Sequence, residues 1–140
     1  CICPASTVRR CMENLLTVTC KEVMTMSDCI FCKLANGEIP TNVVYENDLV
    51  CAFRDADPQA PTHVLVVPKK HVQSVSQLSQ GDGALLLAML DAVHAVVRLE
   101  GLEEDGGYRL VANTGEKGGQ SVPHLHVHVL GGREMKWPPG

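Results

Sequence analysis

The sequence lacks long apolar runs and carries no excess of positive charge. No run approaches the roughly 20 apolar residues that a helix needs to span a bilayer. The formal net charge is −4, whereas proteins that hold duplex nucleic acid usually present a basic surface. Internal repeats and low-complexity tracts are missing as well. We therefore expect neither a membrane nor a nucleic acid duplex as a partner, and the length suits one globular domain.

The seven cysteines do not form a recognisable disulfide framework. Four of them lie in the first 25 residues, and only Cys29, Cys32 and Cys51 follow. An odd number of cysteines without a secretory signal favours reduced thiols. We therefore expect a cytoplasmic protein.

Residues 1–25 show no clear periodicity and no apolar core of a signal peptide. We expect this segment to be a disordered or non-native extension, with Met26 as the natural start and the domain over residues 26–140. A fragment of an organelle-targeting segment is the alternative, which Glu13 and Glu22 disfavour because such peptides contain few acidic residues.

Hydrophobic periodicity in the rest of the chain predicts one long helix and five strands. The helix is predicted at 81–100, a short helical turn at 29–37, and strands at 43–46, 49–54, 63–67, 108–113 and 124–130. One face of the helix should carry Leu85, Leu86, Met89, Leu90, Val93, Val96 and Val97. The short connections favour an antiparallel meander with the helix packed on one face. We therefore expect a two-layer α+β fold whose other sheet face is partly open to a ligand or partner.

The last predicted strand carries three histidines that alternate with apolar residues, His124, His126 and His128. Because side chains alternate along a strand, the three imidazoles should share one face. Neighbours on that face are about 6.6 Å apart along the strand, so they can converge on one small group. They could bind one zinc ion, or one imidazole could be a nucleophile while another binds the group that it attacks.

The glycine-rich loop before these histidines favours the nucleophile. Glycines in residues 113–121 let backbone N–H groups approach an anion, and Ser121 adds a hydroxyl. A zinc site made of three histidines has no need of such a loop. A surface strand with incidental histidines is the remaining alternative, and histidine seldom clusters in this way without a function.

The pattern at 124–130, His-φ-His-φ-His-φ-φ with φ apolar, resembles the histidine triad of the HIT superfamily of nucleotide hydrolases and transferases. Further similarity lies in Cys-Ile-Phe-Cys-Lys at 29–33, Gly-Glu-Ile-Pro at 37–40, Pro-Gln-Ala-Pro-Thr-His at 58–63, Val-Pro-Lys-Lys-His at 67–71 and Gly-Gly-Gln-Ser-Val at 118–122. The tail at 131–140 resembles that of the HINT branch, the histidine-triad nucleotide-binding proteins. The resemblance runs from about residue 27 to residue 140 and implies the HIT-like fold.

The resemblance implies a homodimer that hydrolyses purine nucleoside phosphoramidates, such as AMP joined to an amine, with no cofactor required for catalysis. His126 would be the nucleophile and would form a nucleotidyl-histidine, which water then cleaves. His128 and Ser121 would hold phosphate oxygens where charge develops. His63 would orient the histidines, and His124 would complete the catalytic set.

The resemblance also implies a nucleotide-binding site. Asp55, flanked by Ala56, would accept the ribose hydroxyls, and Asn113 would lie near the phosphate and ribose. Gly119 and Gln120 belong to the phosphate loop. The apolar slot for the purine would consist of Ile30, Phe31, Leu34, Ile39, Phe53 and Leu65. Core packing is the alternative for each of these six, above all for Leu34 and Leu65.

The tail Trp-Pro-Pro-Gly at 137–140 cannot continue a strand, because proline lacks the N–H donor. By the resemblance, this tail reaches toward the active site of the dimer partner, and the single tryptophan of the chain, Trp137, indicates that the tail is anchored. A disordered end is the alternative.

Cys29-x-x-Cys32 has the spacing of two zinc ligands or of a redox dithiol. A redox pair should open a long helix after a strand, which the predicted elements do not offer. In some bacterial relatives this pair binds a structural zinc ion, and the ligands that complete the set match His71 and His124 here. Such a site would remove His124 from catalysis. Two free thiols in the core are the alternative.

Three other functions stay open beside the phosphoramidase, one of them a zinc-binding protein that uses the three histidines themselves. A dinucleoside polyphosphate hydrolase is a neighbouring enzymatic branch, against which the tail argues. A nucleotide-binding regulatory or scaffold protein is a different class, because a competent site does not prove the biological task.

Overall fold

The structure is a computed structural model and describes residues 28–140. The predictions made for residues 1–25 lie outside the described residues. Two α-helices and five strands follow one another in the order α1 (Ile30–Ala35), β1 (Val43–Glu46), β2 (Val50–Arg54), β3 (Thr62–Pro68), α2 (Gly83–Leu99), β4 (Tyr108–Val111) and β5 (Val127–Gly131). None of the helices in this part of the chain is long and apolar enough to cross a membrane.

The five strands form one antiparallel sheet in the order β1-β2-β3-β5-β4. The predicted antiparallel pairing is confirmed, but the predicted meander is wrong, because β5 lies between β3 and β4. The reason is the long connection between β3 and β4. Helix α2 carries the chain across the sheet face and past one strand position, and β5 then returns into the gap.

The first hairpin forms at the predicted turn. Asn47 Oδ1 accepts hydrogen bonds from the backbone N–H groups of Leu49 and Val50, at 3.0 and 2.8 Å. This interaction holds the chain in a turn up to Leu49. Strand β2 therefore begins at Val50, one residue later than predicted.

Helix α2 begins at Gly83, two residues later than predicted, because a 3₁₀ turn at Gln80–Asp82 precedes it. The hydroxyl and backbone of Ser79 bond reciprocally with Asp82, which stabilises this turn. The buried face of helix α2 is narrower than the predicted apolar face, because the side chains of Leu86 and Leu90 are 44% and 46% exposed. The helix thus packs through the positions that share a face with Leu85 and Met89.

The sheet has a core on each face. Strand β3 lies in the middle and contributes alternate residues, Val64 and Val66 to the larger core under α2, and Leu65 and Val67 to the smaller one. The smaller core is covered by α1 and consists of Phe31, Ala35, Cys51, Phe53, Leu65 and Val67. The face that we predicted to be partly open is therefore covered in part by α1.

Candidate functional site

His124 and His126 precede β5, which begins at Val127 rather than at the predicted residue 124. The backbone N–H of Leu125 bonds to the carbonyl of Val72, at 2.6 Å, instead of to a strand of the sheet. The alternation of side chains nevertheless holds. Leu125 packs in the core under α2, while the rings of His126 and His128 lie 4.9 Å apart on the other side.

The ring of His126 is buried and its tautomer is fixed by the backbone. Its Nδ1 lies 2.7 Å from the carbonyl oxygen of His124. Because a carbonyl can only accept, Nδ1 carries the hydrogen, and Nε2 of the neutral ring keeps its lone pair. Phe31 contacts the ring edge-on, at 4.9 Å between centroids and 88° between planes. His126 therefore has the tautomer of a nucleophile.

The neighbouring His128 presents an unsatisfied nitrogen. Its Nδ1 lies 2.8 Å from Nε2 of His63, while its Nε2 is the only buried side-chain nitrogen or oxygen in residues 28–140 without a hydrogen-bond partner. Burial, together with the nearby rings of His126 and His63, lowers the pKa of His128 to about 4. The ring is therefore neutral at neutral pH and can bond to a ligand through Nε2.

His63 is buried and connects this pair to the loop after β2. Its Nδ1 accepts a hydrogen bond from the backbone N–H of Gln59, at 3.0 Å, and its Nε2 lies 3.3 Å from a carboxylate oxygen of Asp55. Burial lowers the pKa of His63, while Asp55 and Asp57 oppose this shift. His63 thus lies between His128 and the loop after β2.

The glycine-rich loop is closed by the side chain of Gln120. Its amide oxygen accepts from the N–H of Gly115, and its amide nitrogen donates to the carbonyls of Gln73 and Val122. Closing the loop uses both ends of the amide, so the side chain of Gln120, a residue that we predicted in the nucleotide-binding loop, is engaged within the protein. The side chain of Gln120 positions the backbone of the loop.

Gly118 and Asn113 also shape this loop. A Cβ atom at Gly118 would lie 2.4 Å from the carbonyl oxygen of Thr114, which excludes any side chain there. The Asn113 amide donates to the carbonyl of Gly119, at 3.4 Å. Ser121 follows the loop as an exposed residue, and its neighbour Val122 packs against the smaller core.

A second cluster consists of Cys29, Cys32, His71 and His124, whose ligand atoms all lie within 4.8 Å of one another. Nδ1 of His124 is 3.3 Å from Sγ of Cys29 and 3.4 Å from Sγ of Cys32. Nδ1 of His71 is 3.3 Å from Sγ of Cys32. Two thiols and two imidazoles form a donor set that zinc commonly takes in structural sites.

The hydrogen bond of His124 is consistent with a metal-ligating role. Its Nε2 donates to the carbonyl of Pro68, at 2.8 Å, so Nδ1 directs a lone pair into the cluster. Burial lowers the pKa of His124 to about 4, which keeps this ring neutral. Burial and the neighbouring Cys29 raise the pKa of Cys32 to about 12. A cation would therefore be needed to hold its thiolate, and these residues fit a structural zinc ion.

His124 joins the two clusters. Its imidazole belongs to the cysteine cluster, while its carbonyl oxygen fixes the ring of His126. We predicted His124 both as a catalytic residue and as a metal ligand. The geometry favours the second role, because both ring nitrogens are engaged away from Nε2 of His126 and His128.

Comparison with known proteins identifies the family of the chain. The sequence profile of the HIT domain matches residues 36–135. The chain belongs to the HIT domain family. It is 51% identical over 113 residues to an uncharacterised HIT-like protein of Synechococcus elongatus, covering 81% of this chain and 97% of that protein. It is 47% identical over 116 residues to a 14 kDa zinc-binding protein of Zea mays, covering 81% and 89% of the two chains.

A solved HIT structure shares the fold. The crystal structure of a HIT family hydrolase from Legionella pneumophila superposes with a TM-score of 0.77 at 50% identity. The match covers 81% of this chain and all of that one. The predicted HIT-like fold, a five-stranded antiparallel sheet with one long and one short helix, is therefore confirmed.

The HIT fold brings part of the predicted purine slot together. Phe31, Phe53 and Leu65 meet in the smaller core, and Leu34 packs against it. Ile30 is exposed, and Ile39 lies outside that core. Core packing, the alternative that we kept, therefore describes Phe53 and Leu65 within a single chain. Phe31 is in addition placed against His126.

The remaining predicted nucleotide contacts lie on loops. Ala56 is exposed beside Asp55. In the tail, Gly131 is the last residue of β5, and the side chain of Arg109 donates to the carbonyl of Lys136, at 2.9 Å. Trp137 is 81% exposed within one chain, and its anchoring on a dimer partner stays a prediction.

Two groups that matter to the site were not predicted, the N–H of Gln59 and the carbonyl of Pro68. Both are backbone groups, whose position leaves little signal in the identity of the residue. Gln59 does lie in the segment 58–63 that resembles the family, but its role depends on the path of the loop.

The lowered pKa of His128 predicts a loss of stability in acid. The unfolded imidazole binds a proton near its ordinary pKa of about 6.5, whereas the folded one does so only near about 4. Between these values the unfolded state binds more protons, so the free energy of unfolding falls as the pH drops. Urea unfolding with a chelator present should show that His128→Asn removes about 1 kcal/mol of the difference between pH 7 and pH 5.

The matched control for this measurement is His94→Asn, because His94 is exposed on α2. This variant should keep the pH dependence of the native sequence. The same pH dependence in His128→Asn as in His94→Asn would contradict the burial of His128.

Proposed function

We propose that this protein is a purine nucleoside phosphoramidase of the HINT branch, which hydrolyses conjugates of AMP with an amine. The observation that carries the proposal is the adjacency of two imidazoles, each held at Nδ1 so that Nε2 is left for a ligand. The backbone of His124 leaves Nε2 of His126 with a lone pair, and beside it Nε2 of His128 is buried without a partner. A nucleophile and a binding group for the attacked phosphate are thus adjacent.

The proposed reaction has two displacements. Nε2 of His126 attacks the α-phosphorus, the P–N bond breaks, and the amine takes a proton from solvent as it leaves. Water then attacks the phosphorus of the nucleotidyl-histidine and releases AMP, so that one water is consumed overall. Because imidazole is also a good leaving group, one slow displacement becomes two easier ones.

Charge that develops on the phosphate needs hydrogen-bond donors. His128 would supply one from the floor of the site, and Ser121 with the N–H groups of the glycine-rich loop would supply others. The closure of this loop by Gln120 supports this role, because donors that are already in place need no reorganisation during the reaction.

The proposed substrate has a purine and a ribose. Asp55 lies beside His63 with a partly exposed carboxylate, where it would accept the ribose hydroxyls. Phe31 and Leu34 would form the wall of the purine slot. We also propose a homodimer, since the exposed Trp137 would gain a contact if the tail reached a second copy.

A nucleotide-binding regulatory protein is the second candidate function. The same arrangement of His126 and His128 would hold a phosphate without turning it over. The buried, backbone-fixed ring of His126 favours the enzyme, because phosphate binding alone does not need a lone pair aimed at the ligand.

Loss of the proposed nucleophile should abolish turnover. We expect His126→Ala to lower the release of AMP from adenosine 5′-phosphoramidate by at least about 10³-fold, measured with a chelator present. The exposed His94 provides the control, and His94→Ala should behave like the native sequence. A His126→Ala variant with the native rate would exclude the mechanism, and a faster hydrolysis of dinucleoside polyphosphates would favour the neighbouring branch.

We further propose that Cys29, Cys32, His71 and His124 hold a structural zinc ion. The distances within the cluster and the lone pair of His124 support this proposal, as does the name of the relative from Zea mays, a zinc-binding protein. When bound, zinc would tether α1 to the segment before β5. Catalysis itself would need no cofactor in this proposal.

Metal analysis of the reduced protein tests the zinc site. We expect about one zinc ion per chain, lost in Cys32→Ser and retained in Cys51→Ser. Cys51 is the matched control because it is another buried thiol, but on β2 and outside the cluster. Both variants keep the cysteines of residues 1–25. Equal zinc contents in the two variants would contradict the site.

A further inference from the structure

The proposed role of His128 depends on which of its nitrogens carries the hydrogen. Nε2 is the buried nitrogen without a partner in residues 28–140. Phosphate oxygens accept hydrogen bonds. Nε2 would therefore bind them if it carries the hydrogen of the ring, and would repel them if it carries a lone pair. A neutral imidazole has only one N–H group. The tautomer of His128 therefore decides whether the proposed site can hold a phosphate.

The contacts that determine the tautomer of His128 begin at the backbone of Gln59. This N–H donates to Nδ1 of His63 over 3.0 Å. A hydrogen on Nδ1 would place two hydrogen atoms between these nitrogens, so Nδ1 must be a lone pair. The neutral ring of His63 therefore carries its hydrogen on Nε2.

The contact between His63 and His128 then determines the tautomer of His128. Nε2 of His63 lies 2.8 Å from Nδ1 of His128 and 3.3 Å from the carboxylate of Asp55. Two nitrogens 2.8 Å apart need a hydrogen between them, and here it comes from His63. Nδ1 of His128 is then the acceptor, which leaves the hydrogen of this neutral ring on Nε2.

The position of the Gln59 backbone is itself held from several directions. Its side-chain amide donates to the carbonyl of Asp57, at 3.0 Å, and its carbonyl accepts from Nε of Arg133, at 3.1 Å. The N–H of Asp55 bonds to the carbonyl of His63, also at 3.0 Å. The loop is therefore fixed to the histidine that it orients, and to the segment after β5.

We infer that the backbone N–H of Gln59 is a positioning group for the proposed reaction: through His63 it places a hydrogen on Nε2 of His128, facing the phosphate. This inference rests on the proposed function for its consequence in turnover. The tautomers themselves follow from the contacts and can be measured without any substrate.

Nitrogen-15 NMR of the histidine rings tests the tautomers directly. In the native sequence at neutral pH, long-range spectra should show His63 and His128 protonated at Nε2 and His126 protonated at Nδ1. The loss of one set of signals in His128→Asn assigns that ring. Protonation of His128 at Nδ1 would overturn the inference, whatever the activity of the protein.

Removing the single N–H group tests its consequence. Gln59→Pro deletes the donor, whereas Gln59→Ala removes the side chain and keeps the donor. Relative to Gln59→Ala, we expect Gln59→Pro to lower kcat for AMP release by a factor of about 10², with KM changed less than about threefold. The Nε2–H fraction of His128 should fall in parallel. Equal kcat values in two folded variants would overturn the inference.

The two measurements keep the inference separate from the function on which it rests. If Gln59→Pro does not fold, the spectra of the native sequence still decide the tautomers. If those tautomers are as stated but the native protein releases no AMP, the phosphoramidase fails. Addition of AMP should then still shift the Nε2–H signal of His128, and an unchanged signal would overturn the role in phosphate binding.

Discussion

The candidate site depends on one hydrogen bond, from Nδ1 of His126 to the carbonyl oxygen of His124. It leaves Nε2 as the nitrogen of the buried ring with a free lone pair, which a nucleophilic imidazole requires. The carbonyl can act in this way only if its own residue is fixed. His124 is fixed through its ring, by the carbonyl of Pro68 at the end of β3, by Cys29 just before α1 and by Cys32 within α1.

The sheet explains why these groups meet. Strand β3 supplies His63 at one end and the carbonyl of Pro68 at the other, and it pairs with β5, which carries His128. The larger core under α2 holds one face of both strands. The histidines lie on the opposite face, where α1 covers only part of the sheet. The site therefore forms where the fold leaves polar groups beside a small apolar core.

The sequence predicted the elements well and their arrangement less well. Alternation identified the strands and the shared face of the histidines, because this period follows from local backbone geometry. It did not predict that β5 enters between β3 and β4, since that depends on how far α2 carries the chain. Exposure of Leu86 and Leu90 depends likewise on tertiary packing. Gln120 shows the same limit at the site, because only the closed loop reveals that its amide has protein partners.

The proposed mechanism requires that His126 becomes covalently nucleotidylated, and the most direct test is to trap that species. Rapid mixing with adenosine 5′-phosphoramidate, quenching in alkaline denaturant and peptide mass spectrometry would locate any adduct. We expect an adenylyl group on the peptide that contains His126, formed and lost at rates compatible with turnover. Turnover with no adduct, or with the adduct on another residue, would contradict it.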